Sequence, residues 1–85
     1  MPLVKLYANL RKIAGTKELA IEGTTLQFVL DELIKEKPTL DGLILEKEGL
    51  RPHVVVTVNG QNALELTSAI SEQDVIAIFP PIAGG

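Results

Sequence analysis

Residues 24–38 read TTLQFVLDELIKEKP. Leu26, Val29, Leu30, Leu33 and Ile34 fall at i, i+3, i+4, i+7 and i+8, one apolar stripe on a helix. The spacing predicts a helix over residues 25–37. Thr24 is placed to cap its N-terminus, with Gln27 completing a capping box. Asp31 and Lys35 form an i,i+4 pair. Lys35 and Lys37 suit the negative end of the helix dipole, and Pro38 ends the helix. Phe28 lies opposite the stripe and is expected to be covered by the loop that follows. A lone amphipathic helix must bury its stripe against something, and what flanks it decides the fold.

Strand patterns flank it. Before the helix, LVKLYA (3–8) alternates, with Val4, Leu6 and Ala8 on one side and Leu3, Lys5 and Tyr7 on the other. NLRKIAGT (9–16) reads as a short turn region, and KELAIE (17–22) as a second strand with Leu19 and Ile21 inward. After the helix, residues 39–52 are irregular, with one short helical turn anchored by Leu40, Leu43, Ile44 and Leu50. HVVVTV (53–58) is a β-branched strand. Asn59-Gly60 is a strong hairpin signal, followed by a shorter strand within QNALEL (61–66). Residues 67–73 are a polar connection, and DVIAIF (74–79) is the last strand. The predicted class is α+β, a mixed sheet wrapped on one face around the helix. The expected core is Val4, Leu6, Leu19, Ile21, Leu26, Leu30, Leu33, Val54, Val56, Val58, Ile76 and Ile78.

The chain has 85 residues, which suits one small domain over residues 1–85 with a modest core. It has no cysteine, so neither disulfides nor thiol chemistry of its own. The formal net charge is −3 and no basic block occurs, which argues against a nucleic-acid partner. No signal-peptide pattern or bilayer-length apolar run is present, so the expectation is a soluble cytoplasmic protein.

The sheet face away from the helix should be polar. Alternation instead sends Tyr7, Val55, Val75, Ala77 and Phe79 outward, with Lys5 and Thr57 among them. Tyr7 and Phe79 are two of only three aromatic residues. If the first and last strands are neighbours, Tyr7, Val55 and Phe79 gather into an exposed apolar patch of the kind that marks a partner surface. Single exposed apolar residues are ordinary. This set ends at Phe79, where an unusual tail starts, and that favours the partner reading.

The tail, residues 80–85, is PPIAGG. Pro80 and Pro81 lack N–H donors and favour extended chain, so they end the strand and carry the tail off the body. Ile82 and Ala83 are modest in size. Gly84 and Gly85 would let a carboxylate enter a narrow channel. Such a tail reaches roughly 15–20 Å. A positioned carboxylate can attack the α-phosphate of ATP, and the acyl-adenylate then transfers to a thiol, an amine or a sulfur donor. Chance alone gives a terminal Gly-Gly roughly once in 200 chains. Gly-Gly after a proline-ended strand on a small domain of this kind is a stronger signal. Other chemistry is thin. His53 is the only histidine and reads as a surface residue. No metal-ligand spacing, phosphate loop or nucleophile elbow is present. Asp41 and the run Glu46, Lys47, Glu48 read as a solvated loop.

VKLYANLRKIAG (4–15), VTVNG (56–60) and DVIAIFPPIAGG (74–85) together resemble the molybdopterin-synthase small-subunit branch of the ubiquitin-like β-grasp sulfur-carrier family. The resemblance covers the whole chain, and FPP followed by two residues and Gly-Gly is its most specific part. Thiamine-pathway sulfur carriers and ubiquitin-like protein modifiers share the fold and the ending. The resemblance implies a non-catalytic subunit with no bound cofactor. An ATP-dependent activating enzyme adenylates Gly85, which then becomes a thiocarboxylate. The large synthase subunit, in a heterotetramer, takes up the tail, and sulfur passes to a cyclic pyranopterin. Gly85 would bear the sulfur and Gly84 would give clearance. Tyr7 and Phe79 match the family's docking surface.

Overall fold

The computed structural model describes residues 1–47, 49–63 and 65–81. Its central sheet has five strands in the order β2-β1-β7-β5-β6. These are β1 (Leu3–Leu6), β2 (Glu18–Ala20), β5 (Val55–Val58), β6 (Gln61–Asn62) and β7 (Val75–Phe79). β1 runs parallel to β7 with Val4 opposite Ile76, and antiparallel to β2 with Val4 opposite Leu19. β5 is antiparallel to β7, with Val56 opposite Ile78. The sheet is therefore mixed, as the flanking patterns predicted. Asn59 and Gly60 both have positive φ, as a type I′ hairpin between β5 and β6 requires.

The helix read from residues 24–38 is α2 (Leu26–Glu36). Leu26, Val29, Leu30 and Leu33 are fully buried and share one core cluster with Val4, Leu6, Val56, Ile76 and Ile78. Each such side chain contributes roughly 1.5–3 kcal/mol by leaving water. Ile34, at the edge of the stripe, is only partly buried. The expected cap is off by one residue. Thr25, not Thr24, accepts from the Phe28 N–H at 3.2 Å. The Thr24 carbonyl instead accepts from Ile70 N–H, and the next helix donors, Leu26 and Gln27 N–H, go to the Ser68 and Leu66 carbonyls. Gln27 does not close a capping box; its amide donates to Asp31 at 3.0 Å. Lys35 accordingly pairs with Glu32 at 3.4 Å rather than with Asp31. Phe28 is not covered by a loop: half of it is exposed.

Two segments depart further from expectation. Residues 9–16 are not a simple turn but hold a helix, α1 (Asn9–Ala14), closed by Gly15 in the left-handed conformation. Leu10 and Ala14, one helical turn apart, are buried in the core. The Thr39 hydroxyl donates to the Ile13 carbonyl at 3.0 Å, tying α1 to a 3-10 turn at Pro38–Leu40. Residues 39–52 hold that turn and a small hairpin, β3 (Leu45–Glu46) with β4 (Gly49–Leu50). Leu40 and Ile44 are fully buried, as anchors of this segment should be. Ile70 joins the core from the polar connection, whereas Leu19 and Val58 are only partly buried because both lie on strands near the sheet edges. No helix among the described residues is long and apolar enough to cross a membrane.

Candidate docking face

β1 ends at Leu6, opposite Ile78, so the next residues along the two parallel strands, Tyr7 and Phe79, stand side by side. Their rings stack with centroids 4.5 Å apart and planes 15° apart. Antiparallel pairing places Val55 directly opposite Phe79 on the other side. The three residues expected to cluster are thus gathered, on the sheet face away from α2. Val55 is 42 % exposed and Phe79 36 %. With the Tyr7 ring stacked between them and the edge of the sheet, they form one contiguous apolar patch at this end of the face. Ala77 is nearly buried between Lys5 and Thr57 of the neighbouring strands. The apolar exposure is therefore concentrated at the Phe79 end of β7.

A groove runs over this end. Its walls are Tyr7, Ala8, Asn9, His53, Val55, Phe79, Pro80 and Pro81. Pro80 and Pro81 follow β7 directly and border the groove, so the chain leaves the sheet along it. Ile82, Ala83, Gly84 and Gly85 lie outside the described residues. His53 is exposed, as expected of a surface residue, but it also forms one wall of the groove.

Arg11 was not singled out from the sequence. Its guanidinium carbon lies 5.8 Å from the Tyr7 ring centroid, within cation–π range. Its Nε donates to the Leu6 carbonyl at 3.4 Å, which holds the side chain over the ring. Helix α1 puts it there, so reading residues 9–16 as a turn hid it. Lys5, Arg11 and Lys17 border a second, smaller depression beside Tyr7, together with Glu18. One edge of the aromatic pair is therefore cationic in a chain whose net charge is −3.

The perturbed carboxylate lies elsewhere. Asp74 immediately precedes β7, at the end of the strand away from the groove. The Ser71 backbone N–H, 2.7 Å from Oδ2, holds its carboxyl below the usual range. The Asn59 amide, 2.9 Å from Oδ1, adds to this. Asn59 Oδ1 in turn accepts from the Val75 N–H. This clasp ties the Asn59-Gly60 turn to the start of β7 and has a structural role.

The ThiS family model matches residues 4–85, through the glycine pair. The chain belongs to the ThiS family. It is 31 % identical to small archaeal modifier protein 3 of Haloferax volcanii, over 96 % of each chain. It is 33 % identical to the molybdopterin synthase sulfur carrier subunit of Arabidopsis thaliana, over 96 % of this chain and 80 % of that one. The solution structure of small archaeal modifier protein 1 from Methanosarcina acetivorans superposes with a TM-score of 0.89 at 35 % identity, covering 99 % of this chain and 95 % of that one. The fold is the ubiquitin-like β-grasp, and this ThiS-family chain is a ubiquitin-like sulfur carrier by family.

Proposed function

We propose that this ThiS-family chain is the sulfur carrier subunit of a molybdopterin synthase. The observation that carries the reading is the continuity of the Tyr7–Phe79 face with Pro80-Pro81, the root of a segment ending in Gly84-Gly85. A face that docks and a tail that leaves from its border are what a carrier needs. The body binds, and the terminus is delivered into the partner's active site.

In this reading an ATP-dependent activating enzyme binds the face, and the Gly85 carboxylate attacks the α-phosphate of ATP with loss of pyrophosphate. A sulfur donor then displaces AMP and leaves a thiocarboxylate. The large synthase subunit takes the same tail, and the terminal sulfur passes to cyclic pyranopterin monophosphate. The chain contributes no acid or base to these steps. Pro80 and Pro81 restrict the tail so that less freedom is lost on entering a channel.

A second reading is supported by the similarity to the Haloferax modifier. The same adenylate would be captured by a lysine amine, giving an isopeptide bond. The distinguishing experiment incubates the chain with its cognate activating enzyme, ATP and a sulfur source, and records intact mass. Conversion of –COOH to –COSH, with sulfur transfer to the pyranopterin when the large subunit is added, supports the carrier. Conjugates to lysine in cell lysate, without pyranopterin turnover, support the modifier. Neither product would remove both readings.

A further inference from the structure

Ala8 holds a backbone conformation that alanine disfavours, and it does so on the wall of the groove. Its φ is 52° and its ψ −132°. The Leu10 N–H donates to the Tyr7 carbonyl at 3.1 Å, closing a four-residue turn over Tyr7–Leu10 with Ala8 second. Those angles are close to the first central position of a type II′ turn, which is dominated by glycine, asparagine and aspartate. A residue with a Cβ is strained there and persists only when its surroundings over-determine it. They do so here. Leu10, on one side, is 2 % exposed in the core. Tyr7, on the other, is stacked on Phe79.

Two other described non-glycine residues have positive φ, His53 and Asn59. Both are residue types enriched in that region, so neither requires a special account. Ala8 does. It is exposed, so its methyl is not retained for core packing. Glycine would relieve the turn. What glycine would remove is one apolar group from the groove wall, beside Tyr7 and Phe79.

We propose that the Ala8 methyl is a docking contact for the enzyme that activates the Gly85 carboxylate, retained at the expense of backbone strain; this rests on the functional reading above. The occupant follows from reach. Pro81 borders the groove, and the four residues 82–85 add at most about 14 Å of chain. An enzyme that reacts with the Gly85 carboxylate therefore has its catalytic centre within that distance of Pro81, and if it seats on the groove that Pro81 borders it meets Ala8 on the same wall. Strain relief and partner contact oppose one another at this residue, which makes the inference testable in two directions.

The experiment measures ATP–pyrophosphate exchange by the cognate activating enzyme as a function of carrier concentration, for the parent, Ala8→Gly and Ala8→Ser. Melting temperatures are taken on the same samples. Ala8→Gly is expected to melt no lower than the parent while its KM as substrate rises about fourfold, the worth of one buried methyl-sized group. Its kcat should be unchanged, because the tail is intact. Ala8→Ser keeps the strained Cβ but sets a hydroxyl in the apolar contact, so its KM should rise as well, without the relief of strain that glycine gives. A parental KM for Ala8→Gly overturns the inference, and so does a drop in its melting temperature, which would show that the methyl supports the fold. If the parent itself gives no exchange, the functional reading fails, and the inference, which names that enzyme, fails with it. A defect confined to the variants leaves the functional reading standing.

Discussion

The ring of Tyr7, one residue past β1, lies 4.5 Å from that of Phe79 at the end of the neighbouring parallel strand β7 and nearly parallel to it, at the sheet end from which the tail departs. Neither ring is part of the buried cluster that packs on α2. Phe79→Ala should therefore leave the melting temperature almost unchanged. It should weaken association with the activating enzyme by about 2 kcal/mol, the loss typical of a central aromatic anchor. Titration calorimetry checks this, and unchanged affinity would remove Phe79 from the docking face.

Leu10 makes the opposite prediction. It sits on a short helix at the surface, yet it is 2 % exposed and belongs to the core. Leu10→Ala should cost about 2–5 kcal/mol of stability through lost burial and the cavity left behind. Urea unfolding measures it directly. A cost below about 0.5 kcal/mol, as for ordinary surface substitutions, would mean that α1 does not close the core.

The Asp74 clasp predicts a pH dependence. Its carboxyl is held below its ordinary value by the Ser71 N–H and by Asn59, so the folded state favours the ionised form. The stability it contributes is present above the unfolded value, about 3.9, and is lost as pH falls through the lower folded value. Asp74→Ala should thus lower the melting temperature at neutral pH, and the gap to the parent should narrow below about pH 4. A gap that stays constant down to pH 2 would show that the carboxylate charge contributes nothing.

How much of this was legible in the sequence depended on the length of each pattern. Helix α2 carries five apolar positions at helical spacing, and Val4, Leu6, Val56, Ile76 and Ile78 alternate cleanly, so the helix-on-sheet core could be read directly. The cap could not, because Thr24 and Thr25 are adjacent and chemically equivalent; pairing of Thr24 with Ile70 decided between them. Helix α1 spans six residues, too few for a period to stand out, and β3 and β4 span two residues each, too few to alternate. The Tyr7, Val55 and Phe79 cluster was legible because register follows from alternation once β1 and β7 are neighbours. Arg11 and Ala8 were not. The first depends on an unrecognised helix, and the second on a positive φ at an alanine, where no glycine marks the turn.

The final prediction tests the terminus. In the proposed cycle the Gly85 carboxylate is the only reacting group of the chain, and everything else presents it. The last strand, β7, ends at Phe79, six residues before Gly85. Deleting it should leave the melting temperature at the parental value. The deletion withdraws the carboxylate by one residue, about 3.5 Å of extended chain. Misplacement by 1 Å can already cost about a hundredfold in rate, so pyrophosphate exchange should fall to background. One residue added after Gly85 should fail for the converse reason, since the carboxylate overshoots. Gly84→Val separates length from clearance: the carboxylate keeps its reach, but a branched side chain meets the narrowest part of the channel. All three variants retain Tyr7, Val55 and Phe79, so each should still bind and should inhibit the parent competitively. Competition without turnover assigns the terminus to chemistry and the sheet face to docking. Exchange at the parental rate by the Gly85 deletion would show that the carboxylate does not react, and the carrier and modifier readings would fall together.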